Sequence, residues 1–211
     1  MAEESEVIQI LKKTGAIKTN DHFVGVSGSH LDTYVLKDAL FPHPAETSRI
    51  GEIFAERNQD LAVDVVAAPA LGGIILAQWT AYHLSRRKNR EILAVFTEKT
   101  AEGGQIFTRG YGTYVRGQKV LVLEDTTTTG GSVKKVVDSV RAAGGEVVAV
   151  SVMVNRDPVS VTGDLFGAPF RPLAEFPVRS YSPADCPLCR QGVPVNTLIG
   201  HGKKFVATLP G

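Results

Sequence analysis

The stretch Val120–Ser132 constrains the fold of this chain more than any other. Val120-Leu121-Val122-Leu123 is an unbroken apolar run, the pattern of a strand buried on both faces of a parallel sheet. Glu124 and Asp125 follow directly, then four threonines (Thr126, Thr127, Thr128 and Thr129), and then Gly130, Gly131 and Ser132. Beyond them Val133, Val136, Val137 and Val140 recur at helical spacing. A buried strand, a polar loop and an amphipathic helix in that order make half of a βαβ unit, and open α/β sheets collect their ligands at the C-terminal ends of such strands.

The loop has its own chemistry. Hydroxyls and glycines that open a helix leave backbone N–H groups free for an anion, and the helix dipole favours negative charge there. Two carboxylates beside that cradle suit a pair of vicinal hydroxyls, so the run describes a ribose 5-phosphate. An ordinary βα turn with a helix cap is the simpler alternative, but one hydroxyl is enough for a cap and four threonines stand here in a row. A Walker A pattern is absent, since no Lys-Ser or Lys-Thr follows the glycines, and G-x-G-x-x-G spacing is absent as well. A second loop, Ala67-Ala68-Pro69-Ala70-Leu71-Gly72-Gly73-Ile74, ends another apolar strand. Pro69 stiffens its turn, and Gly72 and Gly73 let backbone N–H groups approach a ligand at the next helix start. Read alone it is equally a tight turn; beside the acidic motif it points to pyrophosphate.

Elements of both kinds alternate along the chain. Residues 4–14 read as an amphipathic helix with Val7, Ile8, Ile10 and Leu11 on one face. Residues 22–26 and 33–36 read as short strands around a Ser-Gly turn. Helical patterns follow at 46–58, 73–85 and from Val133 to Ala143, with strands at 63–67, 92–97, 120–123 and 147–154 and a hairpin through 105–108. Arg86-Arg87-Lys88 closes the second of these helices, where cations meet the negative end of its dipole. The order predicts an α/β domain with a mainly parallel sheet flanked by helices.

Composition agrees and narrows the function. A chain of 211 residues buries one substantial core, and a net charge of +1 gives no electrostatic reason for a nucleic-acid or anionic-membrane partner. No apolar run approaches a membrane span, and the acidic segment Met1–Glu6 lacks the features of a signal peptide, so a cytoplasmic location is the simple inference. Cys186 and Cys189 stand in a single C-x-x-C pair, whereas structural zinc takes four ligands, and His201 is the only nearby third candidate. The pair is therefore read as ordinary thiols or a redox pair, zinc being the lesser alternative, and no metal ligand is assigned. His22, His43 and His83 read as surface or packing residues.

The run from Leu123 to Ser132 resembles the phosphoribosyl-pyrophosphate (PRPP) motif of type I phosphoribosyltransferases, and within that family the chain is most similar to orotate phosphoribosyltransferases. The likeness covers about residues 15–157. Phe23-Val24-Gly25-Val26-Ser27-Gly28-Ser29-His30, running into a Tyr34-containing strand, is similar to the family's N-terminal segment, which gives His30 interest. The Ala67–Ile74 loop resembles the family's pyrophosphate loop, and Val154-Asn155-Arg156 its strand end carrying an arginine for the orotate carboxylate. The resemblance implies a hood over residues 1–40, an α/β core over 41–157 and an irregular extension over 158–211. It implies transfer of phosphoribosyl from PRPP to orotate, giving orotidine 5′-monophosphate and pyrophosphate, with Mg²⁺ held mainly through PRPP or pyrophosphate. It also implies a homodimer with shared active sites.

By the same resemblance Glu124 and Asp125 hold the ribose hydroxyls, Thr127, Thr128, Thr129, Gly130, Gly131 and Ser132 the 5-phosphate, with Thr126 also in the substrate site, and Ala70, Leu71, Gly72 and Gly73 the pyrophosphate. Tyr34 and Arg109 join the substrate site, and Lys99 acts in catalysis with the acidic pair. The chain departs from the family where Glu98 replaces a common arginine and where the 98–105 loop is shorter and lacks a lysine and a histidine of its own. Lys99, Arg109 and Arg116 are the cations left to reach pyrophosphate. Val26 stands where a basic residue is common. A purine phosphoribosyltransferase and a non-catalytic PRPP-binding regulator are the alternatives; the first lacks a carboxylate partner for Arg156, and the near-neutral charge opposes a nucleic-acid-binding regulator.

Overall fold

The structure, a computed structural model, describes residues 4–25 and 27–208; Val26 lies outside them. Helix α1 (Glu6–Lys13) starts where the Ser5 side chain accepts a hydrogen bond from the Ile8 N–H. Strands β1 (Ile17–Val24) and β2 (His30–Val35) pair antiparallel. Both are longer than the sequence predicts. The polar stretch Lys18–Asp21 hides the start of β1, and it contains Asn20 at φ +60° and a register slip between Thr19 and Phe23.

A 3₁₀ turn at Lys37–Ala39 leads into α2 (Pro44–Arg57), β3 (Val65–Pro69), α3 (Gly72–Lys88), β4 (Leu93–Lys99) and the short β5 (Gln105–Ile106). Then come α4 (Gly112–Val115), β6 (Lys119–Thr127), α5 (Gly131–Ala142) and β7 (Glu146–Asn155). The chain ends through α6 (Gly163–Phe166), β8 (Ala174–Glu175), β9 (Ser180–Tyr181), α7 (Pro187–Arg190) and α8 (Gly202–Val206).

A six-stranded sheet of order β5-β4-β3-β6-β7-β8 organises the domain, parallel throughout except for β5. Its strands alternate faces beneath their continuous apolar runs. Val66, Ala68, Leu121, Leu123, Ala149 and Met153 face the helices α1, α2 and α3. Val65, Ala67, Val120, Val122, Val150 and Val152 face α5, which closes that side with Val133, Val136, Val137 and Val140. Each buried valine, leucine or methionine among them contributes about 1.5–3 kcal/mol relative to exposure. Helices α2 and α3 meet closely: a Cβ on Gly51 would stand 2.5 Å from Cβ of Trp79.

The order of the strands fixes the site. The chain runs outward from β3 to β4 and then returns to place β6 on the other side of β3. This reversal opens a crevice at the C-terminal ends of β3 and β6, the switch point where doubly wound sheets hold ligands. Over that end lies a second, antiparallel sheet, β1-β2-β9. Residues from the C-terminal segment complete it: Leu31 pairs with Ser180, and His30 with Tyr181. Within the C-terminal extension, edge strand β8 and a Phe170 bridge to Val150 add to the sheet, while Phe166 ends a helical turn and is fully buried.

Candidate active site

Glu124 and Asp125 stand near the C-terminal end of β6, 7 % and 2 % exposed. Side chains alternate across a strand, and two adjacent carboxylates at a strand end would repel unless something intervenes. Lys37, from the 3₁₀ turn, places Nζ 2.5 Å from Asp125 Oδ2. Burial works against the Lys37 charge, but the Asp125 carboxylate outweighs it and leaves the ammonium above its usual range. Burial, and then the Asp125 charge, push Glu124 up to about 8, although Glu124 Oε1 accepts the Asp125 N–H at 3.0 Å. The pair thus holds one proton near neutrality until a cation or hydroxyl donors reach Glu124.

Beyond the acids the loop is shaped as an open cradle. Thr127 Oγ1 accepts from the Gly130 N–H at 3.0 Å, and Gly130 adopts φ +74°. A Cβ at Gly130 would lie 2.2 Å from Cδ2 of Leu165, so only glycine fits that turn. No side chain caps α5, so the helix N-terminus keeps its first N–H groups for an anion. Thr128 and Thr129 are exposed beside it.

These groups line a cavity of about 560 Å³ that also takes in Gly25, Ser27, Ser29, Leu31, Tyr34, Lys37, Arg156 and Ser180. Arg156 follows β7, and its backbone N–H bonds Thr127 O at 2.8 Å. Its Nε is buried without a hydrogen-bond partner, and burial lowers the guanidinium from its usual value. A half-buried guanidinium with an unpartnered Nε, facing a polar cavity, favours an anionic partner. The structure thus brings Tyr34, the acidic pair, Thr126–Ser132 and Arg156 to one cavity.

A smaller cavity of about 230 Å³ shares Lys37, Glu124, Asp125 and Ser132 with the first. Ala70, Gly72, Lys99 and Lys135 line it too. Gly72 is there because a Cβ would meet Asp125 Oδ2 at 2.2 Å. Leu71 is 83 % exposed and Gly73 packs on Ala68 and Pro69; neither lines either cavity. Arg109 lines neither: its guanidinium bonds Glu98 Oε1 at 3.0 Å, so the acid that replaces the family's arginine holds the cation away. Arg116 lies beside Gly144, ahead of the first residue of β6 and so at the opposite end of the sheet. The 100–104 loop closes as a tight hairpin, with Thr100 bonding Gly103 and Gly104, and Lys135 Nζ holds Gly103 O at 2.7 Å.

Lys37 and Lys135 escaped sequence reasoning. Lys37 sits in a nondescript turn, and Lys135 reads as a solvent-facing helix residue; only the strand order brings them to the acids. The C-terminal cysteines also need correction. His201 uses its backbone N–H on Val24 O at 2.8 Å, and the side chains gathered around Cys186 and Cys189 are those of His22 and His30, both buried. These two come from the hood, far from the pair in sequence, so spacing could not reveal them. His83, by contrast, stacks on Trp79 and bonds Ser48, as a packing residue does.

Residues 37–160 match the family model described as the phosphoribosyl transferase domain. The chain is 38% identical over 197 residues to an orotate phosphoribosyltransferase of Thermotoga maritima, covering 93% of this chain and 98% of that one. It is 36% identical over 193 residues to an orotate phosphoribosyltransferase of Caldanaerobacter subterraneus, covering 92% and 95%. Among solved structures, it is similar to an orotate phosphoribosyltransferase of Mycobacterium tuberculosis in complex with PRPP, with a TM-score of 0.62, 25% identity, and 81% and 94% of the two chains covered.

Proposed function

This chain belongs to the phosphoribosyltransferase family, and from that premise we propose that it is an orotate phosphoribosyltransferase, which moves phosphoribosyl from PRPP to orotate and releases pyrophosphate. One observation carries the choice of base: Arg156, half-buried and with its buried Nε unpartnered, faces the cavity that holds the acidic pair and the open N-terminus of α5. A guanidinium fork there matches a carboxylate. Orotate has one and a purine base does not. The relatives at 36–38% identity carry the same name.

The residues divide the work in this reading. Thr127, Thr128, Thr129, Gly130, Gly131 and Ser132 hold the 5-phosphate by hydroxyls and main-chain amides. Glu124 and Asp125 accept the ribose hydroxyls and face the positive charge that grows on the sugar as pyrophosphate leaves C1. Catalysis then comes from holding the base nitrogen against C1 and from placing charge where it develops. Lys37, Lys99 and Lys135 surround the smaller cavity, and we assign them to the leaving pyrophosphate in place of the loop cations this chain lacks. Mg²⁺, which the family's reaction implies, fits the donor set, because the buried carboxylates of Glu124 and Asp125 line both cavities and oxygen is what this ion takes. It would supply countercharge to the pyrophosphate, with Glu124 and Asp125 as its protein neighbours.

A homodimer belongs to the proposal. Helix α3 exposes Leu71 at its start, then Ile75 and Tyr82, with Trp79 beside them, an apolar face on the side away from the sheet. We also place the enzyme in the cytoplasm; both cysteines are free, and no helix among the described residues is long and apolar enough to cross a membrane. The test is turnover with a panel of bases in the presence of PRPP and Mg²⁺. Orotate should be consumed with release of pyrophosphate. Turnover of adenine, hypoxanthine or xanthine but not of orotate would move the assignment to a purine enzyme, and none with any base would leave a PRPP-binding regulator.

A further inference from the structure

We propose that His22, His30, Cys186 and Cys189 form a tetrahedral zinc site that fastens the C-terminal segment to the hood. The ligand atoms of all four lie within 4.8 Å of one another. His22 Nε2 stands 2.8 Å from His30 Nδ1. Cys186 Sγ is 3.7 Å and Cys189 Sγ 3.9 Å from His22 Nε2, and Cys189 Sγ is 3.2 Å from His30 Nδ1. Bond lengths of about 2.0–2.1 Å to nitrogen and about 2.3 Å to sulfur give a tetrahedron with edges of about 3.3–3.8 Å. The sulfur–nitrogen spacings bracket that range, and the two nitrogens need part by only about half an ångström to admit the ion.

The cluster is oriented as a metal site is. Val193 O can only accept, so His22 Nδ1, 2.8 Å away, carries the ring proton, and the Nε2 lone pair faces the cluster. This is the carbonyl-oriented histidine that metal sites use. His30 Nδ1 faces the same point, 2.8 Å from His22 Nε2, so the two rings and both thiols converge on one centre. A cation takes both facing lone pairs and both sulfurs at once. The carboxylates of the active site are absent from the set, and the donors are the soft and borderline ones that zinc selects.

The fold supplies the need. From Arg179 to Thr208 only Cys186 and Gly202 are buried. A segment with so little core requires another staple. It nevertheless carries Ser180, which pairs with Leu31 and lines the larger cavity. Zinc would therefore set one wall of the substrate site without touching substrate.

The experiment is metal analysis of the full-length protein purified without chelators and with zinc in the medium. About one zinc per chain is expected, with two sulfur and two nitrogen neighbours by X-ray absorption. A mercurial thiol reagent should release that zinc as it modifies the pair. Cys189→Ser, at the more exposed cysteine, should weaken zinc binding at least tenfold. Should that variant not fold, Co²⁺ exchanged into the native chain should give thiolate charge-transfer bands and tetrahedral d–d bands. A substoichiometric zinc content, a coordination shell without sulfur, or a Cys186–Cys189 disulfide in protein from a reducing cytosol would each overturn the assignment.

Discussion

At the scale of single residues, charge and burial decide what the site does. Arg156→Ala removes a charge-assisted pair worth about 1.5–3 kcal/mol, so the KM for orotate should rise about 10–100-fold while that for PRPP stays nearly constant. Steady-state kinetics with each substrate varied in turn would show this, and equal rises in both would remove Arg156 from the base pocket. Glu124 gives a pH prediction. Burial and the Asp125 charge raise its carboxyl to about 8, so below that pH its neutral form holds a proton the ribose hydroxyls cannot use. PRPP affinity measured by calorimetry should increase as pH rises toward 8, and Glu124→Gln should flatten the dependence. For stability the sign is opposite. The folded state binds this proton more tightly than the unfolded chain, so the raised pKa costs stability progressively as pH rises from the unfolded carboxyl range to about 8. Of these residues, Glu124, Asp125 and Arg156 were legible in the sequence because type and position in a βα unit restrict their use. Lys37 and Lys135 were not, since a lysine in a turn or on a helix carries no local signature of the carboxylate or carbonyl it meets.

Elements were legible where one periodicity ruled. The apolar runs of β3, β6 and β7 and the valines of α5 announce themselves, and so does the threonine- and glycine-rich loop between β6 and α5. The hood was harder, because β1 carries a bulge and a polar stretch and its third strand comes from the far end of the chain. No local pattern reports a pairing across that separation. The loop before α5 yields an element-scale prediction. Gly130 combines φ +74° with a Cβ position 2.2 Å from Leu165, whereas a Cβ on Gly131 would meet only Thr129 Oγ1, at 3.6 Å. Gly130→Ala should cost about 1–3 kcal/mol in denaturant unfolding and weaken PRPP binding. Gly131→Ala should leave stability within about 0.5 kcal/mol, as a small residue in a helical first turn does. Equal stability losses would mean that the cradle does not depend on the left-handed turn.

For the molecule as a whole, the sheet and the hood explain a site within one chain, but they leave α3 with two apolar sides. One packs Leu76, Ala77, Ala81 and Leu84 into the core. The other presents Ile75 and Tyr82, 37 % and 46 % exposed, beside Trp79, which stacks on His83. A helix hydrophobic on both sides is ordinarily covered on both. Because α3 begins at Gly72, next to Asp125, its outer side lies on the helix that opens at the smaller cavity. A second copy of the chain, related by a two-fold axis, would place the two α3 faces together. Light scattering should then report about twice 22.6 kDa. Ile75→Arg would set like charges across the axis, and it should shift the protein toward monomer without loss of helical circular dichroism. A monomeric native protein would leave the apolar side of α3 without this explanation. Dissociation of the variant with full retention of turnover would show that each chain completes its own site.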